Sequence, residues 1–308
     1  MTGVQTCALP ISGRVYFDPT HPYLPFGDLP EGDVDGRALR LGPDGAEDVR
    51  LAAQDSLPAL DVAVRVSLDA PAAGEATVVA RGALLGLVRE ALDKGTGPDG
   101  VNALSAAAGD LLYKIRLGDL VLVQDTPTAV TFTARADLSE FVVASPTRRY
   151  LPQTPFRAVP AEVRERLADA LPVTLPARPH VRLALSVAPG AWTAEAASVA
   201  WGTPLARFSA TVAPSPDGTV LTYLFDQRTR RFAGDDRDAY VAFADRYLGA
   251  RRDMFTFRPT APLRGGVTED RPNCNKRGAP LTLCGRVRVS CGRLLLGPSR
   301  RSPVVLPF

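Results

Sequence analysis

An α+β fold, with a mixed α/β region leading into a β-rich, sandwich-like domain, is expected from three features of the sequence. Two apolar stripes recur at helical spacing between residues 84 and 115, alternating apolar runs flank them, and a proline cluster separates them from a second half that alternates almost throughout. The 308 residues, 45% apolar and 22% charged, suffice to bury a sizeable core. No apolar run reaches the roughly 18 residues that a membrane-spanning helix needs, so a transmembrane segment is not expected.

The elements follow in order. Residues 12–50 are rich in turn signals, among them Asp18-Pro19, Pro22, Pro25, Gly27, Pro30 and Asp44-Gly45, and Arg14–Phe17 reads as a short strand entering a Pro-rich loop. Val62, Val64, Val66 and Leu68 alternate as a strand should, and Glu75–Ala80 reads as another. Leu84, Leu85, Val88 and Leu92 share one helical face ending at Gly95, while Val101, Leu104, Ala108, Leu111, Leu112 and Ile115 share a second ending near Gly118. Leu120–Val123, Val130–Ala134 and Glu140–Ala144 read as strands. Pro152, Pro155 and Pro160 mark a boundary, followed by a short amphipathic helix on Val163, Leu167 and Leu171. Beyond it Arg182–Val187 alternates, and Phe208–Val212 and Thr219–Phe225 flank Pro214-Ser215-Pro216-Asp217-Gly218 as a hairpin. A last helix, from a cap at Asp235 or Asp236 to Gly249, sets Tyr240, Phe243, Tyr247 and Leu248 on one face.

Charge and cysteine are distributed unevenly. The chain has 36 basic residues against 33 acidic, yet Arg271–Phe308 holds eight basic residues and no acidic one, which leaves the rest at −5. Cys274, Cys284 and Cys291 lie in that tail and Cys7 near the start. Their C-x9-C-x6-C spacing, without a CxxC pair or a nearby His, does not suit a zinc site. The tail has no sustained period and reads as disordered or as out-of-frame translation. No aromatic interleaves with its arginines, so nucleic acid is not a predicted partner. Met1–Ile11 (MTGVQTCALPI) has neither the positive nor the apolar region of a secretory signal. It resembles instead the conceptual translation of a sequencing adapter, which implies that the native gene began upstream of Ser12.

One string carries a resemblance to a known family. Gly13–Pro30, GRVYFDPTHPYLPFGDLP, with Asp18-Pro19-Thr20, Pro25-Phe26-Gly27, Leu29-Pro30 and then Gly36-Arg37, resembles the end of the catalytic core in bacterial transglutaminase-like proteins that carry uncharacterised flanking β-domains. The likeness extends more weakly to Asp238, Tyr240 and Phe243. It implies a Cys-His-Asp triad whose last member matches Asp18: a thiolate attacks an amide carbonyl, an imidazole shuttles the proton, and the carboxylate orients the imidazole. Asp18 would be the orienter only, because the family's Cys and His precede it in the chain. His21 follows Asp18 and so fails that order, and His180 reads as a surface or strand-start residue. Without the family, Asp18 reads equally as an Asx turn capped through Thr20.

The resulting expectation divides the chain into an adapter-like segment (1–11), a remnant of a transglutaminase-like core (12–52), a mixed α+β region (53–150), a β-rich domain with a closing helix (151–258) and a basic tail (259–308). The chain is then a fragment of a cysteine hydrolase or transferase acting on amide bonds of proteins or peptides, inactive as it stands, with no cofactor and no metal. A periplasmic or extracellular location for the intact parent follows from the resemblance alone. The rival expectation is a noncatalytic extracytoplasmic binding or scaffold protein. No GxGxxG after a strand, GxxxxGK[ST], HExxH, GxSxG or EF-hand loop is present.

Overall fold

A computed structural model describes residues 20–30, 33–34, 36–42, 45–51, 58–69, 71–93, 97–157, 173–174, 180–188, 192–194, 197–227, 231–232 and 234–260. In chain order, β1 (Arg37–Gly42) and β2 (Gly45–Arg50) form a hairpin, and β3 (Leu60–Ser67) and β4 (Ala73–Ala80) lead into α1 (Gly82–Asp93) and α2 (Gly97–Leu111). Then come β5 (Arg116–Thr126), β6 (Ala129–Asp137), β7 (Val143–Ser145) and β8 (Arg148–Pro152). The second half carries β9 (Val173–Thr174), β10 (His180–Val187), β11 (Trp192–Ala194), β12 (Ser198–Gly202), β13 (Ala206–Ser215), β14 (Gly218–Gln227) and β15 (Arg231–Phe232). It closes with α3 (Asp235–Gly249), a 3-10 turn (Ala250–Arg252) and β16 (Met254–Pro259).

Strand alternation builds the main sheet, in the order β12-β13-β14-β10-β3-β4-β6-β5. Its inner face takes every second residue: Leu60, Val62, Val64 and Val66 of β3, Val130, Phe132, Ala134 and Ala136 of β6, and Leu221, Tyr223 and Phe225 of β14 are all buried. A smaller sheet, β11-β16-β8-β7, contributes Leu151, Phe255 and Phe257 to the same core, to which α1 and α2 add Leu85, Val88, Leu104 and Ala108. Helix α3 lays Tyr240, Phe243 and Tyr247 into this core, with the Tyr247 ring edge-on to Phe208 at 5.1 Å and to Phe225 at 5.2 Å. The molecule is α+β and β-rich.

All pairs in the main sheet are antiparallel except one. Strand β10 runs parallel to β3, with Arg182 opposite Asp61 and Val187 opposite Val66. A parallel neighbour needs a long crossover, and here the intervening chain supplies both helices and β4–β8. The ladder therefore crosses residue 150, where the proline cluster suggested a boundary. Pro152 ends β8, which pairs with β16 of the second half, and Pro152 and Pro155 are buried.

Several expectations need correction in detail. The second helix stops at Leu111, not near Gly118, because Lys114 adopts φ 59 and breaks the helical path, leaving Leu112 to bridge Phe156 and Ile115 buried outside the helix. Leu138–Val142 is a turn closed by Phe141 and Val142 amides on the Leu138 carbonyl, so of the expected strand Glu140–Ala144 only Val143 and Ala144 are strand, within β7. Gly234, at φ 57, caps α3 without any side-chain bond, in place of an aspartate. The β1–β2 hairpin lay hidden among turn signals. Met1–Ile11, Arg14–Phe17, Asp18, the expected helix over Val163–Leu171 and everything after Thr260 lie outside the described residues, and Pro259, placed in the tail by composition, is the last residue of β16.

Candidate functional site

Asp18 is not among the described residues, but the loop that follows it is. His21 accepts the Leu24 amide at 3.2 Å and Pro25 the Asp28 amide at 3.0 Å, and Gly27 at φ 95 lets the chain reverse between them. This loop docks on α1. Leu24 lies over Gly86, where an added Cβ would come within 2.8 Å of Leu24 Cδ2, and Tyr23 donates its hydroxyl to Asp93. That hydrogen bond, ahead of desolvation, holds the Tyr23 phenol above its ordinary range. The Asp28 carboxylate reaches the start of the same helix, 3.9 Å from a Cβ placed on Gly82. His21 and Phe26 remain exposed.

Beside Gly82 the outer face of the main sheet carries a group of charged residues near this loop. Val181 points inward and is buried, so His180 and Arg182 point outward, as do Asp61 beside buried Leu60 and Arg81 beside buried Ala80. Register then aligns them. His180 stands opposite Asp226 of β14, which stands opposite Arg207 of β13. On its other side Ala59 donates its amide to the His180 carbonyl at 2.9 Å, and Arg81 donates its amide to the Ala59 carbonyl at 2.9 Å. One cross-strand row thus reads Arg207, Asp226, His180, Ala59, Arg81. One step behind it, Arg182 Nη1 donates to Asp61 Oδ1 at 2.9 Å, and Arg81 Nη1 lies 3.9 Å from Asp61 Oδ2 while donating to the Pro58 carbonyl at 3.3 Å.

These groups are neither deeply buried nor fully solvated. The side chains of Arg81, Asp61 and Arg182 keep 23%, 20% and 40% exposure, so their charges act at a partly screened surface. His180 Nδ1 is shielded from solvent and has no hydrogen-bond partner. Of this constellation the sequence singled out only His180. Alternation alone places His180 and Arg182 on one face, but Arg81 and Asp61 join them through a register between strands more than 100 residues apart, and no local pattern encodes that.

Two further depressions lie elsewhere. One of about 520 Å³ runs along the edge strand β12 and the end of α3, lined by Gln153, Ser198, Trp201, Arg246 and Asp253, with the Arg246 guanidinium 5.1 Å from the Trp201 ring centre. Another of about 410 Å³ is walled by Arg116, Arg135, Asp137 and Ser139. There the Ser139 amide, donating at 2.9 Å, holds the Asp137 carboxyl below its ordinary range. Among the described residues no group of three His, Cys, Asp or Glu is placed to hold a metal ion, and no helix is long and apolar enough to cross a membrane. No protein-family model, curated protein or solved structure matches the chain.

Proposed function

We propose that the chain is the part of a transglutaminase-like cysteine enzyme that follows its catalytic Cys and His, with Asp18 as the carboxylate that orients the imidazole and the β-rich body as the platform for that carboxylate's loop. The observation that carries this reading is the docking of the loop after Asp18-Pro19-Thr20. Through Leu24 on Gly86 and Tyr23 on Asp93 it is tied to a helix of the large core, which is what a triad member needs, since an orienter works only if its own position is fixed. The substrate class is the amide bonds of proteins or peptides, attacked through a thioester.

The chain alone is expected to show no thiol-dependent turnover of a glutamine peptide, because loss of nucleophile and base removes about a millionfold in turnover. Joined to its upstream core it is expected to turn over, and in that protein Asp18→Ala or Asp18→Asn is expected to lower kcat by about 10⁴-fold, the asparagine by stabilising the wrong tautomer. Iodoacetamide-sensitive turnover by the chain alone, or an Asp18→Asn enzyme of full activity, would sink the reading. The second reading, a noncatalytic binding protein, is favoured by the groove in which Arg246 stacks on Trp201, and it predicts that the joined protein binds peptides without cleaving or joining them.

A further inference from the structure

Among the described residues, the hydrogen bonds of the cross-strand row on the outer face leave part of its donor capacity unused. Ala59 presents only a methyl group between His180 and Arg81, so the row is notched there, with Arg182 and Asp61 forming the back of the notch. In the notch itself two guanidinium groups, Arg81 and Arg182, share one carboxylate, Asp61, while Asp226 lies across the row opposite His180 and Asp28 lies beside Gly82. Among the described residues, Arg182 commits Nη1 to Asp61, and Arg81 makes a bond of 3.3 Å to Pro58 and an approach of 3.9 Å to Asp61. A guanidinium fork with free edges is a match for a planar carboxylate. Gly82, next to Arg81, is the residue that Asp28 approaches, so the notch lies beside the loop that follows Asp18.

We infer that this notch, formed by Arg81, Arg182, His180 and the small Ala59, takes the carboxylate of an acidic peptide, from a Glu or Asp side chain or from a chain terminus. The inference rests on the transglutaminase-like reading for its substrate class, peptide, but the binding itself does not require turnover. Asp61 plays a defined part: it competes intramolecularly for Arg182 and keeps the empty notch from holding two uncompensated cations.

The test is an NMR titration of the whole chain with acetyl-glutamate amide, acetyl-glutamine amide, acetyl-alanine and inorganic phosphate. Acetyl-glutamate amide is expected to bind saturably while the neutral glutamine amide does not, and comparison with acetyl-alanine tells a side-chain carboxylate from a terminal one. Arg81→Ala and Arg182→Ala are each expected to weaken binding about tenfold, the usual loss for a charge-assisted hydrogen bond. Arg65→Ala, on the same face but beyond the notch, is expected to leave it unchanged. Asp61→Asn is expected to tighten binding, an effect opposite in sign to any loss of structure. Arg81→Lys retains the charge and serves if the alanine variant does not fold, and it is expected to weaken binding because the fork is gone. Equal binding of the glutamine amide, preference for phosphate, unchanged affinity in folded Arg81 and Arg182 variants, or weaker binding by Asp61→Asn would each overturn the inference. Peptide binding without turnover in the joined enzyme counts against the transglutaminase-like reading alone, and turnover without peptide binding counts against the notch alone.

Discussion

Among the described residues, three tyrosine hydroxyls lie in the core, each with a defined acceptor. Tyr223 donates to the Pro152 carbonyl at 2.8 Å, Tyr240 to Gln227 at 2.9 Å and Tyr247 to the Phe156 carbonyl at 3.0 Å. Two of these bonds reach Pro152 and Phe156 from β14 and α3, so they fasten the proline-bearing segment between the halves to the second. Desolvation raises all three phenols above their ordinary value of 10.0. The neutral form is thus favoured in the native state, its contribution is complete below pH 10, and it is lost as pH rises beyond the unfolded phenol's pKa. Each tyrosine is expected to steepen the fall by up to about 1.4 kcal/mol per pH unit. Melting temperature measured across that range is expected to drop in step with tyrosinate absorbance, and Tyr247→Phe is expected to cost about 1 kcal/mol near neutrality and to flatten the alkaline slope. A slope unchanged in Tyr247→Phe would show that its phenol ionises freely in the folded protein.

Strands and helices differ in how plainly their sequences announced them. The alternation of Val62, Val64, Val66 and Leu68 and the stripe of Leu85, Val88 and Leu92 were legible because each reports burial on one face. What ends an element was not, since the positive φ of Lys114 and the amides that close Leu138–Val142 on the Leu138 carbonyl leave no mark on a hydrophobic period. The β3–β4 pair shows a constraint of the same hidden sort. Gly74 lies opposite Val66, and a Cβ there would stand 2.3 Å from the Arg65 carbonyl oxygen and 2.9 Å from Val64 Cγ1. The obstacle is backbone, which cannot swing aside as a side-chain end can. Gly74→Ala is therefore expected to cost about 1–3 kcal/mol, the range for overpacking, while Gly118→Ala, with open space around its Cβ position, is expected to stay within about 0.5 kcal/mol. Denaturant unfolding of the two variants side by side checks this, and equal stability would mean that the β3–β4 ladder yields at Gly74.

The parallel pairing of β10 with β3 makes the two halves of the chain interdependent. Composition around Pro152, Pro155 and Pro160 suggested separable regions because prolines interrupt ladders, yet Pro152 sits at a strand end and accepts the Tyr223 hydroxyl, positions where a missing N–H costs nothing. The same logic holds for the outer-face charges: His180, one of two histidines, read as a surface or strand-start residue, and its neighbours Arg81 and Asp61 arrive only through long-range register. Cutting between the halves would leave β3 without β10, β8 without β16 and the inner face of β14 without Phe156, which its Tyr223 ring meets edge-on at 6.4 Å. Each half would then expose both an unpaired strand edge and apolar core, a state that aggregates or stays unfolded. Residues 58–157 and 173–260 expressed separately are accordingly expected to lack cooperative thermal unfolding, and mixing them from denaturant is expected to recover it, because the missing pairings are intermolecular once the chain is cut. A sharp melting transition in either half alone would show that its strands close a core without the other, and the boundary near residue 150 would then be real.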